Sequence, residues 1–222
     1  MQVRNLILGS YDTHLNGPWT LSAWTFSAAE YQANLVEVPG RNGPLDLSTA
    51  LTDGEPRYGS RTLTATLERS DGTRMDREAA ISTMVNWLDG WRMDIQLPDD
   101  EAHYITGRVR IIPEYNDMAH AAVTVEAICD PWRYNHHETV ISLTAAAAER
   151  PAMLTNRGRR SVVPVVRVTG ENAAVLLKFG ANSWALGPGE YQLPDLVVKQ
   201  GDVEITYSGT GSISFTYREA VL

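Results

Sequence analysis

Only one stretch of the chain repeats its apolar residues at helical spacing. Ile81, Met84, Val85 and Leu88 fall on one face of a helix predicted over about Asp76–Asp89. Thr73 and Asp76 have the spacing of a capping box at its start, and Gly90 is the expected stop. The other regular segments alternate or are β-branched: Thr62–Glu68, Tyr104–Ile112 and His120–Ala127, with Met1–Gly9 as a first strand. Gly107 marks a bulge or a close approach inside its strand, and Ser70-Asp71-Gly72 a turn. A lone helix among strands packs across an open sheet face. The fold class is therefore mainly β with one prominent helix.

Turn signals become denser after Thr139. Strands are predicted at Val162–Thr169, Ala174–Phe179, Leu196–Lys199, Val203–Tyr207 and Ile213–Tyr217. Gly170-Glu171-Asn172 and Gly187-Pro188-Gly189 separate them, and Gly201-Asp202 and Gly209-Thr210-Gly211 read as hairpin turns. Short strands every 8–12 residues without a helix indicate a β-sandwich or jelly roll. Pro131 and the polar run to His137 mark a border, giving domains 1–136 and 137–222. The strand from Ile213 onward either completes the second domain or returns to the first, and the continuous strand rhythm favours the second.

The 222 residues are 43% apolar and 21% charged, an ordinary globular balance without a run of about 18 apolar residues. The N-terminus is too polar for a signal peptide. A single cysteine, Cys129, allows neither an intrachain disulfide nor a cysteine-based zinc site, and reads as a small buried hydrophobe. The net charge of −8 is segregated: residues 1–136 hold 19 acids and 11 arginines, whereas residues 137–222 hold eight of each sign. A nucleic-acid binder needs a basic face, so that class is disfavoured.

The sequence carries no nucleophile elbow, zincin motif, EF-hand loop or phosphate-cradling glycine loop before a helix. His136-His137 reads as a pair of solvated histidines, Asp99-Asp100-Glu101 as a charged turn, and Ser10, Asp12 and His14 as turn residues rather than a triad. Trp87 and Trp91, at the helix end, are expected in the core. Trp184, before Gly187-Pro188-Gly189, is the one tryptophan considered for stacking on a ligand. No catalytic, cofactor or metal residue is assigned, and an enzyme is not expected.

Val38-Pro39-Gly40-Arg41-Asn42-Gly43-Pro44-Leu45-Asp46-Leu47-Ser48 is a stiff loop. Pro39 and Pro44 fix φ, and Gly40 and Gly43 permit positive φ. Such a loop presents one shape to a partner. Pro39, Gly40, Arg41, Gly43, Asp46 and Ser48 are its candidate assembly residues, with Asp46 looking buried. Asp46 either accepts hydrogen bonds within its own loop or pairs with Arg41, in the loop or across a subunit boundary; the local role is favoured.

The order of these segments resembles the distal tail protein of long-tailed, siphovirus-type bacteriophages. The resemblance is carried by Val38–Gly43 with Asp46 and Ser48, Tyr58 and Arg61 before a strand, and the helix ending Trp87-Leu88-Asp89-Gly90. Tyr104–Val109 and Cys129-Asp130-Pro131-Trp132 follow, and the second part adds Phe215–Glu219. The resemblance implies a structural component of the virion tail tip, assembled in the host cytoplasm without membrane insertion. It implies a hexameric ring built by the N-terminal domain around a channel that passes genomic DNA without specific binding. The C-terminal domain would be a galectin-like or carbohydrate-module-like sandwich facing outwards. Implied partners are the tail tube protein, a tail-associated hub or lysin-type protein, the tape-measure protein and receptor-binding proteins. On this reading the acidic excess of the first part lines the channel and keeps DNA from sticking. The alternative is a carbohydrate-binding module or adhesin that contacts host cell-wall glycans through the C-terminal sandwich.

Overall fold

The computed structural model describes residues 5–52, 54–114 and 120–222. The chain forms two compact units, Met1–Arg133 and Tyr134–Leu222. The first holds β1 (Ile7–Leu8), β2 (Tyr11–Asp12), β3 (Thr20–Phe26), β4 (Leu35–Val36), β5 (Leu45–Asp46), β6 (Arg61–Arg69), α1 (Arg74–Leu88), β7 (Arg92–Gln96) and β8 (His103–Glu114). Strand β9 (Ala121–Asn135) ends just past the division. Of the expected first strand, Met1–Arg4 lies outside the described residues and Ile7–Leu8 is observed.

The main sheet runs β2-β1-β7-β8-β9-β6-β3, with β1–β2, β1–β7, β7–β8, β6–β9 and β3–β6 paired antiparallel. Alternation puts Leu63, Ala65 and Leu67 of β6 beside Val123, Val125, Ala127 and Cys129 of β9 on one buried face. Ile81, Met84 and Leu88 of α1 complete that core. The helix starts at a reciprocal capping box: Asp76 N–H donates to Thr73 Oγ1 while Thr73 N–H donates to the Asp76 carboxylate. Thr73 Oγ1 also donates to that carboxylate at 2.7 Å, and the bonds from the Thr73 backbone and side chain hold the Asp76 carboxyl below its ordinary pKa. Gly90, at φ +77°, follows the C-cap Asp89. Asp89 Oδ1 then accepts from Ile111 N–H at 2.8 Å, tying the helix end to β8.

Trp87 and Trp91 depart from the expectation. They are 68% and 65% exposed. Trp87 sits one position off the buried Arg77–Ile81–Met84–Leu88 stripe, and Trp91 lies beyond the helix cap. Proximity to an apolar helix end did not place either ring on its inward face.

The second unit contains β10 (Thr139–Thr144), β11 (Arg150–Asn156), β12 (Val165–Phe179), β13 (Asn182–Leu186), β14 (Gly189–Gln192), β15 (Gly201–Tyr217) and β16 (Ala220–Val221). Two long strands, β12 and β15, pair with each other along both halves. The first half of β15 also pairs with β11 and its second half with β10. Strand β14 flanks Val165–Val168, and β13 flanks Val175–Phe179. One core takes Val166, Val168, Ile213 and Phe215 from one half and Val175, Leu177, Ile205 and Tyr207 from the other. The sheet is thus folded over itself into a sandwich.

This overturns two hairpin assignments. Gly209-Thr210-Gly211 is no turn between strands but the fold line within the continuous β15, and Gly170-Glu171-Asn172 is the matching irregularity within β12. The register of the pair shifts between Thr169 and Ala174. Gly201-Asp202 likewise opens β15 rather than forming a turn. Leu196–Lys199 is not a strand: Val198 makes an isolated bridge with Val162. Leu196 and Val198 are fully buried, so their apolar signal comes from the core and not from a ladder.

Candidate assembly surface

The loop singled out in the sequence is the tip of a projecting hairpin arm. The chain leaves β3 through Ser27, whose N–H donates to Thr62 O at 2.9 Å. Further rungs run from Gly59 N–H to Glu30 O, Gln32 N–H to Arg57 O and Leu47 N–H to Asn34 O. They lead to β4 and β5, which among the described residues pair only with each other, Leu35 opposite Asp46 and Val36 opposite Leu45. Gly40 and Gly43 both take φ +82° and turn the tip. Arg41 N–H closes a turn onto Val38 O at 3.2 Å. Glu37, Val38, Pro39, Arg41, Gly43 and Pro44 border an open hollow of about 410 Å³.

Asp46 is exposed, contrary to the expectation of burial, and Ser48 is the buried member of the pair. The Asp46 carboxylate accepts from Ser48 N–H at 2.9 Å, and Ser48 Oγ accepts from Asn34 N–H at 2.8 Å. Bonds from the Ser48 hydroxyl and backbone hold the Asp46 carboxyl below its ordinary pKa. Within the chain, the Asp46 carboxylate is thus engaged by Ser48 at the base of the hairpin.

The sequence reading missed what surrounds this loop. Leu35, Val36, Val38, Leu47 and Leu51 are exposed, Leu51 by 88%. Among the described residues of 27–60, none joins the buried apolar core of the unit. A two-stranded hairpin is marginal in water, and clustered exposed apolar side chains signal a contact surface. Periodicity cannot find such a surface, because the same residue types at the same spacing also make a core strand.

The remaining candidates behave as local structure. Asp12 Oδ1 accepts from His14 and Leu15 N–H, so its carboxylate organises a turn. Asp100 bridges His103 at 2.8 Å and Arg133 at 3.2 Å. His136 and His137 are both exposed. Among the described residues no three His, Cys, Asp or Glu side chains group as metal ligands, and no helix is long and apolar enough to cross a membrane. Trp184 lies opposite Leu177 on β13 and packs against the sandwich core, so its ring is only partly open to a ligand.

Cys129 is 1% exposed, and burial pushes its thiol up to about 12. The thiolate is the reactive form. We predict that Cys129 resists a maleimide at neutral pH in the folded protein and labels stoichiometrically in denaturant. Equal labelling rates in the two states would show that the thiol is accessible.

No family model and no curated protein matches the sequence. Among solved structures, the chain is similar to the crystal structure of the Dit (gp 19.1) protein of SPP1. That protein is described as a paradigm of the hub adsorption apparatus in phages that infect Gram-positive bacteria. The TM-score is 0.71 at 15% identity, with 100% of each chain covered. Both units, the helix-backed sheet with its arm and the folded sandwich, thus belong to one fold, that of the SPP1 Dit protein.

Proposed function

We propose that this chain is a distal tail protein, a structural hub of the tail tip of a siphovirus-type phage. The full-length fold similarity to SPP1 Dit carries the reading, because it spans both units rather than one widespread sandwich. The protein matched is a hub of a phage adsorption apparatus. In this reading the N-terminal domain, residues 1–136, closes a hexameric ring, and its arm, with Pro39, Gly40, Arg41, Gly43, Asp46 and Ser48, seats on a neighbouring subunit. The exposed Leu35, Val36 and Val38 support that use of the arm. The acidic excess of the same domain gives the channel wall a sign that repels DNA. The sandwich, residues 137–222, faces outwards. The tail tube, tape-measure, hub-type and receptor-binding proteins are the partners.

Light scattering on a sizing column, with negative-stain images of the peak, tests this. Six chains of 24.5 kDa give about 147 kDa, and a particle of that mass with a central hole is expected. Val36→Asp with Val38→Asp should shift it to monomer without unfolding the chain. A wild-type monomer that also fails to join tails would refute the reading.

A further inference from the structure

A constrained loop in the second unit concentrates positive charge. Arg157, Arg159 and Arg160 fall within four residues, and no acid occurs between Glu149 and Glu171. All three arginines are exposed. The backbone beneath them is held from several sides. Asn156 is 1% exposed; its Nδ2 donates to the carbonyls of Arg160 at 2.8 Å and Val198 at 3.1 Å. Its Oδ1 accepts from Gly158 N–H at 2.9 Å. Gly158 is pressed against the chain end: an added Cβ would lie 2.6 Å from both N and O of Ala220. Arg159 N–H donates to the same Ala220 carbonyl at 2.8 Å. The Arg160 guanidinium lies over the Tyr134 ring and donates to its hydroxyl at 2.7 Å. Ordering of this loop is completed in folding, so little conformational entropy remains to be lost on binding.

Guanidinium groups pair with carboxylates in a two-bond fork, which suits a partner with discrete acids. The chain itself supplies such a partner. Residues 1–136 carry 19 acids against 11 arginines, whereas the remainder is neutral overall with this local concentration included. We propose that the Asn156–Ser161 loop docks on the acidic N-terminal part of a second copy of this chain, a heterologous contact that strengthens subunit assembly. The inference builds on self-assembly in the hub reading, yet the two can fail separately.

The test measures self-association of the full chain by sedimentation at about 50 mM and about 500 mM salt, conditions with long and short screening lengths. Wild-type association should weaken on the order of tenfold or more in high salt. R157E/R159E should associate about tenfold more weakly than wild type in low salt and lose most of the salt response. R150E/R167E changes the net charge equally through two other exposed arginines and should associate like wild type. An R157E/R159E variant that associates like wild type, or an R150E/R167E variant that falls equally, overturns the proposal. So does a wild type that is monomeric at both salts, or whose association is insensitive to salt. Rings from wild type with an unchanged double variant refute the loop's role and leave the hub reading. Salt-sensitive open oligomers without a ring do the reverse.

Discussion

Gly209→Ala is expected to destabilise the second unit by about 3–5 kcal/mol, from backbone strain added to overpacking. Gly209 takes φ +124°, where an L side chain is strained, and an added Cβ would overlap the carbonyl oxygen of Ala174 on the paired strand. The ladder between β12 and β15 cannot open there locally, because the same residues form the fold line that brings the two halves of the sheet together. Gly211 and Gly170 crowd the same line: a Cβ at Gly211 would lie 2.8 Å from Thr169 O, and one at Gly170 3.2 Å from the Gly211 Cα. Amide exchange read by peptide should show protection falling together across Val165–Phe179 and Gly201–Tyr217 while α1 and β6 keep theirs. Gly180→Ala is the control. Gly180 also has positive φ, +56°, but its Cβ would meet open space, so it should cost only the left-handed penalty of about 1–2 kcal/mol. Equal losses at the two positions would show that the fold line bears no special strain.

The fold line also explains where the sequence was and was not legible. The helix was read from four apolar positions and a cap, because a 3.6-residue period over about two turns behind a cap is hard to produce otherwise. Strands β6, β8 and β9 were read from alternation, since one face of each is buried. The glycines of the second unit were read as turns because glycine at positive φ serves a hairpin and a sharply bent strand equally well. Only the pairing of β12 with β15 on both sides of the glycines separates the two cases. Strand β11 was missed for another reason. Pro151 argues against a central strand, but β11 pairs only with β15, so it lies at an edge where proline is tolerated.

The candidate surface was legible in its stiffness and not in its setting. Pro39, Gly40, Gly43 and Pro44 announce a shaped tip, and Asp46 with Ser48 announces a local lock. Asp46 proved exposed because its bonds come from the adjacent Ser48, which needs no burial of the carboxylate. Nothing in the residue order distinguishes Leu35, Val36 and Val38 on an arm from the same residues on a core strand. That distinction lies in which strands pair, and among the described residues β4 and β5 have no third strand.

Gly107→Ala is expected to cost about 2–3 kcal/mol, and Cys129→Ala to recover part of that loss. Gly107 is a close approach inside the main sheet: an added Cβ would lie 2.6 Å from Cys129 Sγ, 3.1 Å from Ile128 O and 3.2 Å from Cys129 Cα. The nearest of these contacts is with a side-chain atom that can be removed by mutation. Cys129→Ala alone leaves a small cavity beside Leu63, Ala127 and the rest of the core, and should cost about 1 kcal/mol. If the two costs were independent, G107A/C129A would be their sum. In the double variant the new methyl instead enters the space left by Sγ, so its loss should fall at least about 1 kcal/mol below that sum, a coupling typical of residues in contact. Recovery should stay incomplete, because the Ile128 carbonyl still faces the new methyl and is fixed in the sheet. Denaturant unfolding of the four proteins closes the cycle. Additivity within about 0.5 kcal/mol would show that the β8–β9 contact yields elsewhere and that Gly107 is not held by Cys129.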